Sequence, residues 1–201
     1  AKKELVEDQK QFLLIGKRRS QALEKLTISL KSDTAKLNKL IAERAELEEL
    51  LNTVEVAVND MPLTAPPSQQ TFVSQKGLLQ WPLKGRVAHS YGSQRSGSLR
   101  WEGWMIGAKS GQSVNAVHDG HVIFTNNLLG FGLLIILNHG DGYMTLYAHN
   151  EELLKDTGDW VLSNETIARA GDSGGLDKPA LYFEIRKQGQ PADPKIWLGK
   201  R

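Results

Sequence analysis

No cysteine occurs in the 201 residues, so disulfide frameworks, thiolate-bound zinc and cysteine nucleophiles are excluded at once. No stretch approaches the roughly 20 apolar residues that a membrane-spanning helix needs, and the N-terminus lacks the hydrophobic core of a signal peptide. The chain opens Ala1-Lys2-Lys3-Glu4 without a methionine, which reads as a fragment from which an export signal has been lost. Charge of one sign is lacking too: 25 Lys and Arg against 23 Asp and Glu leave +2. That balance argues against nucleic acid as a partner, since phosphate binding shows as a strong basic excess or stripe. Lys17, Arg18 and Arg19 form the one tight basic cluster, and on a helix such a run reads as a solvated face.

What is present divides the chain in two, with a change of character near residue 60. Leu23, Leu26, Leu30, Leu37, Leu40, Leu47, Leu51, Val54 and Val58 alternate three- and four-residue spacings, the seam of a coiled coil, so residues 1–58 are expected as helix. With Leu23 at position a, Asp33 falls at d and Arg44 at a. Either these two face solvent where the coil frays, or they fix register or mark where the packing partner changes. Leu5 and Phe12 keep the same register, but Gly16 interrupts it at about 1 kcal/mol relative to alanine. A bend or turn is expected there, with residues 1–15 able to fold back antiparallel on the longer helix.

Proline lacks the amide hydrogen a helix requires, so the helix must stop before Pro62. Residues 59–79, with Ala65-Pro66-Pro67 and Ser68-Gln69-Gln70, read as a linker in which Phe72, Val73, Leu78 and Leu79 could dock on something. From residue 80 to 201, short β-type runs alternate with glycine punctuation, as in an antiparallel β-domain. Candidate strands are Val114–Val117, His121–Asn126, Gly132–Asn138, Tyr143–His149, Thr166–Ala170 and Ala180–Arg186. Turns fall at His139-Gly140-Asp141-Gly142 and Asp172-Ser173-Gly174-Gly175. The fold class is therefore α+β, a helical coiled-coil segment followed by a mainly antiparallel β-domain.

Within that domain the stretches WPLKGRV, WEGWMIGAKSGQSVNAVHDGHVIF, GFGLLIILNHGDGYMTLYAHN, AGDSGGLDKPALYFEI and DPKIWLG follow one another in an order that resembles the LytM, or lysostaphin-type, peptidoglycan endopeptidases. In catalytic members the motifs read HxGxD, YxH and GxHLHFE. The first His, the Asp and the last His hold zinc, and the other two histidines assist. Carried onto this chain, Gly103 and Gly107 anchor the first motif, which puts Trp101 at the His position and Met105 at the Asp position. Ala180 and Tyr182 replace the two histidines of the last motif, and His149 alone is retained. Zinc requires imidazole or carboxylate donors at roughly 2 Å and an open position for water. Indole and an alanine methyl carry no donor, thioether is better matched to copper(I), and an unperturbed phenol is un-ionised at neutral pH. The resemblance therefore implies a domain with no metal, no cofactor and no hydrolytic activity.

The same substitutions resemble a narrower group, the EnvC-type activators of cell-division amidases, which join a coiled coil to a degenerate LytM domain. Ala180-Leu181-Tyr182-Phe183-Glu184-Ile185-Arg186 and Ile196-Trp197-Leu198-Gly199 match that group's SLYFEIR and PWLG. By strand alternation, Glu184 and Arg186 share the face of Tyr182, while Phe183 and Ile185 point into the core. In the resembled fold, Phe131 and Leu134 border the same groove. An apolar floor of Trp101, Met105, Phe131 and Leu134, edged by Ala180, Tyr182, Arg186 and His149, has the composition of a protein-binding surface. Against that, Trp101 and Met105 could simply plug a dead pocket, and Arg186 could make an ordinary surface ion pair worth under about 1 kcal/mol.

The resemblance implies an exported, periplasmic protein that activates a zinc-dependent N-acetylmuramoyl-L-alanine amidase in septal wall splitting. It implies further that a division-site ABC-transporter-like complex acts through the coiled coil, and that an arm before the β-domain covers the groove. The candidate arm is the C-terminal part of the helix with Thr71–Leu79; alternatively that stretch is a tether whose apolar residues cap the sheet edge. Two other functions stay open: a zinc endopeptidase with an unusual metal site, and a cell-wall anchoring module that binds peptidoglycan. His118 and His121 are three apart but lack a third donor. His89 and His139 read as surface or turn residues, and none of the four is assigned a metal.

Overall fold

The computed structural model describes residues 2–59 and 70–200. The chain divides into two compact units, Ala1–Ala42 and Glu43–Arg201. Helix α1 covers Lys2–Asn59, so the turn expected at Gly16 and the fold-back of residues 1–15 are corrected. Glycine is a poor helix former but keeps its amide hydrogen, so its penalty of about 1 kcal/mol does not break a long helix as proline would. Within the first unit the seam leucines Leu23, Leu26 and Leu30 are more than half exposed. No helix among the described residues is long and apolar enough to cross a membrane.

The second unit is built from strands β1 (Val87–His89), β2 (Gln94–Ser96), β3 (Leu99–Arg100), β4 (Trp104–Gly107), β5 (Ser113–Asn115), β6 (Gly120–Leu128), β7 (Gly132–Asn138), β8 (Tyr143–Leu153), β9 (Trp160–Val161), β10 (Thr166–Ala170), β11 (Ala180–Lys187) and β12 (Gln190–Ala192). They form an antiparallel sheet in the order β1-β4-β11-β8-β7-β6-β9, with β10 joining β5 to β8 and β12 on β11, while β2 and β3 make a separate hairpin. All six strands expected from sequence are present. Most of the short ones were missed, β4 above all, because four residues of which the first three are buried give neither a period nor length.

The central strands are buried on both faces, which separates two apolar layers. Leu181, Phe183 and Ile185 of β11 point into one, with Ile135 and Leu137 of β7. Ala180 and Tyr182 point into the other, with Leu134 and Ile136. The β7–β8 turn is closed by Gly140, Asp141 and Gly142 at positive φ, which glycine adopts freely and aspartate more readily than most residues with a side chain. Gly132 at φ 63° has a second constraint: a Cβ there would lie 2.1 Å from the Ser173 Oγ and 2.4 Å from the Ser173 carbonyl carbon.

Thr71–Leu79 belongs to this body. Thr71 caps a 3-10 turn over Phe72–Gln75. Phe72, 1% exposed, stacks on His139 at 4.7 Å and Tyr143 at 5.0 Å and meets Trp197 at 5.1 Å. Leu79 then bridges Leu198 in parallel. These residues fill the first apolar layer. His139, expected at the surface or in a turn, does sit at the turn, but its ring lies under Phe72 and is held between the Asp119 carbonyl at 2.7 Å and the Thr145 hydroxyl at 2.7 Å. Burial drives its pKa down to about 3, against the pull of the Asp119 carbonyl.

Candidate functional site

The sheet register fixes the positions of the candidate groove residues. Tyr182 on β11 lies opposite Met105 on β4 and Ala148 on β8, so these three side chains come together on the second layer. Phe131, in the turn before β7, meets Tyr182 edge-on at 5.6 Å, and Trp101 lies 6.2 Å from the same ring in a tilted arrangement. Leu134 is fully buried in the same layer and Ala180 lies at its border, 9% exposed. Trp101 stacks with His89 at 4.9 Å, and the Arg95 guanidinium lies 4.4 Å from its ring centroid.

The donor set does not fit a hydrolytic zinc. Tyr182 is buried and its phenol donates a 2.6 Å hydrogen bond to Glu184. Burial, then the neighbouring Glu184 charge, raise its pKa well above the ordinary value, so it stays protonated. Glu184 is itself fully buried. Burial raises its pKa, partly offset by Arg186 and Arg44, and its second oxygen accepts from Arg186 at 2.8 Å. Among the described residues no cluster of three or more His, Cys, Asp or Glu could hold a metal.

The retained His149 is 3% exposed and adopts φ 66°, rare for a residue with a side chain. Its backbone explains the strain: the His149 amide donates to Phe131 and its carbonyl accepts from Gly171. Its Nδ1 lies 2.8 Å from the Ser173 carbonyl, which can only accept, so Nδ1 carries the proton. Burial lowers the imidazole pKa, the Ser173 bond opposes this, and Arg95 lowers it further. His149 is thus a neutral ring that ties the β8 turn to the Ser173 loop.

The groove is filled. Residues 43–54 of α1, which belong to the second unit, lie along it. Leu47 and Leu51, 0% and 2% exposed, join the cluster of Met105, Phe131, Leu134 and Tyr182, and Leu50 and Val54 pack against its edge. The polar fringe is matched as well. Arg186 spans Glu184 and the helix, its guanidinium donating to both oxygens of Glu48 at 3.0 and 2.8 Å. Arg44 pairs with Glu48 at 2.6 Å and with Glu102. At Gly130, whose φ of 77° favours glycine, a Cβ would lie 2.2 Å from the Glu43 carboxyl carbon, so the Glu43 side chain rests where a larger residue would stand.

All eight residues expected to form the groove therefore lie on or beside one surface. Arg186 is 2% exposed, which corrects the reading of it as a surface ion pair. Sequence reasoning missed Arg95, Gly130 and the individual helix contacts. One signal for the latter was available: Arg44 breaks the heptad where the helix packs on the sheet, which is the change of packing partner weighed above.

The Glu48 pair makes helix contact pH-dependent. Burial pushes the Glu48 pKa up, but its hydrogen bond and charge interaction with Arg186, helped by Arg44, pull it below the ordinary 4.5. A carboxylate with a depressed pKa in the docked state stabilises docking fully above 4.5 and loses that contribution as pH falls through the docked-state value. Since the Glu48 side chain is 36% exposed, the loss stays under about 1 kcal/mol. Helix amide protection, measured as exchange relative to the intrinsic rate at each pH, is expected to fall modestly from pH 6 to pH 3.5 in the parent chain, with that decrement absent in Glu48→Gln.

Comparison with known proteins agrees with this geometry. Residues 99–194 match peptidase family M23. The chain is 46% identical over 125 residues to the murein hydrolase activator EnvC of Escherichia coli K12, covering 62% of this chain and 30% of that protein. It is 36% identical over 123 residues to the murein hydrolase activator NlpD of the same organism, covering 61% of this chain and 31% of that protein. It thus spans about a third of each relative's length. A zinc containing peptidase from Vibrio cholerae superposes with a TM-score of 0.55 at 24% identity, covering 60% of this chain and 40% of that one, a likeness of fold alone. The β-domain thus resembles peptidase family M23 over residues 99–194, and its sequence is similar to the EnvC type of activator.

Proposed function

We propose that the β-domain is a non-catalytic activator that binds a helix of a zinc-dependent peptidoglycan amidase in its vacated groove, and that residues 43–54 restrain it by occupying that groove first. The observation that carries this reading is the seating of Leu47, Glu48 and Leu51 on Met105, Phe131, Tyr182 and Arg186. The site is shaped and charged for an amphipathic helix, a common mode of peptide recognition. An endopeptidase with an unusual metal site is disfavoured by Tyr182, whose proton is committed to Glu184.

Activation then requires exchange of one helix for another. A partner that favours the open amidase by about 2.7 kcal/mol shifts its population a hundredfold. The first unit is the handle on which an ABC-transporter-like division complex pulls, and the working compartment is the periplasm. The test compares the full chain with residues 71–201, a cut that keeps Phe72 and Leu79 in the core. The shorter form is expected to stimulate a purified amidase more strongly, while neither form alone releases product from peptidoglycan. Equal stimulation removes the restraint from the proposal. Zinc-dependent cleavage of peptide cross-links by residues 71–201 alone overturns the proposal entirely.

A further inference from the structure

Three arginines stand at the groove, and two of them are matched. Arg186 is held by Glu184 and Glu48, and Arg44 by Glu48 and Glu102. Arg95, on the separate β2–β3 hairpin, makes no ion pair among the described residues. It is half-buried, and its guanidinium lies 4.4 Å from the ring centroid of Trp101, which in turn neighbours Tyr182. The indole face answers the charge, but the planar fork of five N–H donors is shaped for a carboxylate. Burial lowers the Arg95 pKa from its ordinary value; the Glu43 carboxylate opposes this, and Arg44 adds to it. A cation withdrawn from water without a hydrogen-bonded anion is unfavourable.

Glu43 is the carboxylate whose charge acts on Arg95. It is 5% exposed and precedes Leu47, its neighbour on the same helix face, by one turn. Its carboxyl group rests over Gly130, in the space that a Cβ would fill. No ion pair joins it to Arg95, so the attraction acts at longer range. We infer that Arg95, Trp101 and Gly130 frame a carboxylate-receiving pocket, and that the partner helix which replaces residues 43–54 carries an acidic residue one turn before the apolar residue that takes the place of Leu47. This inference rests on the activator reading and adds the chemistry of the partner to it. In the closed chain Glu43 stands in for that acid. Because Glu43 stops short of contact, a partner acid that reaches the guanidinium gains a charge-assisted pair which the chain's own helix forgoes. The exchange is thereby biased toward the partner, and helices with a neutral or basic residue at that position are selected against.

The test uses the full chain carrying Leu47→Ala and Leu51→Ala, which weaken its own helix, and a fluorescent peptide of residues 40–58 with both leucines intact. Arg95→Glu in the protein and Glu43→Lys in the peptide are each expected to weaken binding about tenfold, and the two together to restore it to within about threefold. Arg95→Lys, which keeps the charge, should lose less than Arg95→Gln. Should Arg95→Glu fail to fold, Arg95→Gln against a Glu43→Gln peptide closes the same cycle. Losses that simply add show that the two groups do not act together, and overturn the inference. A second arm adds a purified peptidoglycan amidase. The opened chain is expected to stimulate it, the opened chain with Arg95→Glu about tenfold less, and a lysine replacing one acid on the amidase's groove-binding helix to restore stimulation. No stimulation by either form overturns the activator reading and the partner acid with it; stimulation that survives Arg95→Glu overturns the partner acid alone.

Discussion

The Leu47→Ala, Leu51→Ala double variant is expected to stimulate a partner amidase at concentrations where the parent chain is nearly silent. Both leucines are buried, at 0% and 2% exposure, against Met105, Phe131, Leu134 and Tyr182. Burying one leucine contributes about 1.5–3 kcal/mol relative to leaving it exposed, and alanine forfeits most of that. Two such losses weaken docking by roughly 3–5 kcal/mol, a shift of more than a hundredfold between closed and open groove. The ion pairs cannot compensate, because Glu48 is part-exposed and recovers much of its solvation on release. Leu30→Ala, at a residue 64% exposed, is the control and should leave stimulation unchanged. Hydrogen exchange over residues 43–54 reports release independently of the amidase. Faster exchange without greater stimulation would separate docking from restraint and sink the autoinhibitory reading.

The sequence displayed what is periodic or local, and it hid what is neither. Gly132–Asn138 and Thr166–Ala170 were legible to the residue because apolar runs there end in turn glycines or polar residues. The alternation about Tyr182 was legible because β11 places successive side chains on opposite layers. Phe72 was legible only as an apolar residue able to dock: one aromatic in a proline-rich neighbourhood carries no period, and only the folded Tyr143, His139 and Trp197 show where it goes. The Arg186 contact with Glu48 joins residues 138 apart in sequence, and no local pattern announces such a pair. Met105 and Trp101 were visible as departures from the zinc motif of the resembled family, yet neither told what stands in its place. Part of the replacement is a buried chain of proton donors and charges running from Tyr182 through Glu184 to Arg186.

That chain makes Arg186→Ala the most destabilising single change expected in the β-domain. Arg186 is 2% exposed and Glu184 0%, so removing the guanidinium strands a buried carboxylate. Breaking a buried pair in this way costs about 3–5 kcal/mol, or on the order of 10 °C in Tm for a chain of this size. Glu48→Ala removes only the helix end of the network and should cost under about 1 kcal/mol, so the two variants separate internal support from docking. The pH dependence gives a second discriminator. Burial already raises the Glu184 pKa above its ordinary value, and without Arg186 the main opposing charge is gone. A carboxyl whose folded-state pKa exceeds its unfolded value binds its proton more readily when folded, so the Arg186→Ala penalty should shrink as pH falls through the folded-state pKa. Arg186→Ala, Glu184→Gln removes the titrating group, and its Tm difference from the parent should lose this partial recovery in acid. Should the Arg186→Ala penalty be the same at pH 5 as at pH 8, Glu184 is not the stranded charge. Tyr182 would then owe its fixed orientation to packing against Phe131 and Trp101 rather than to this network.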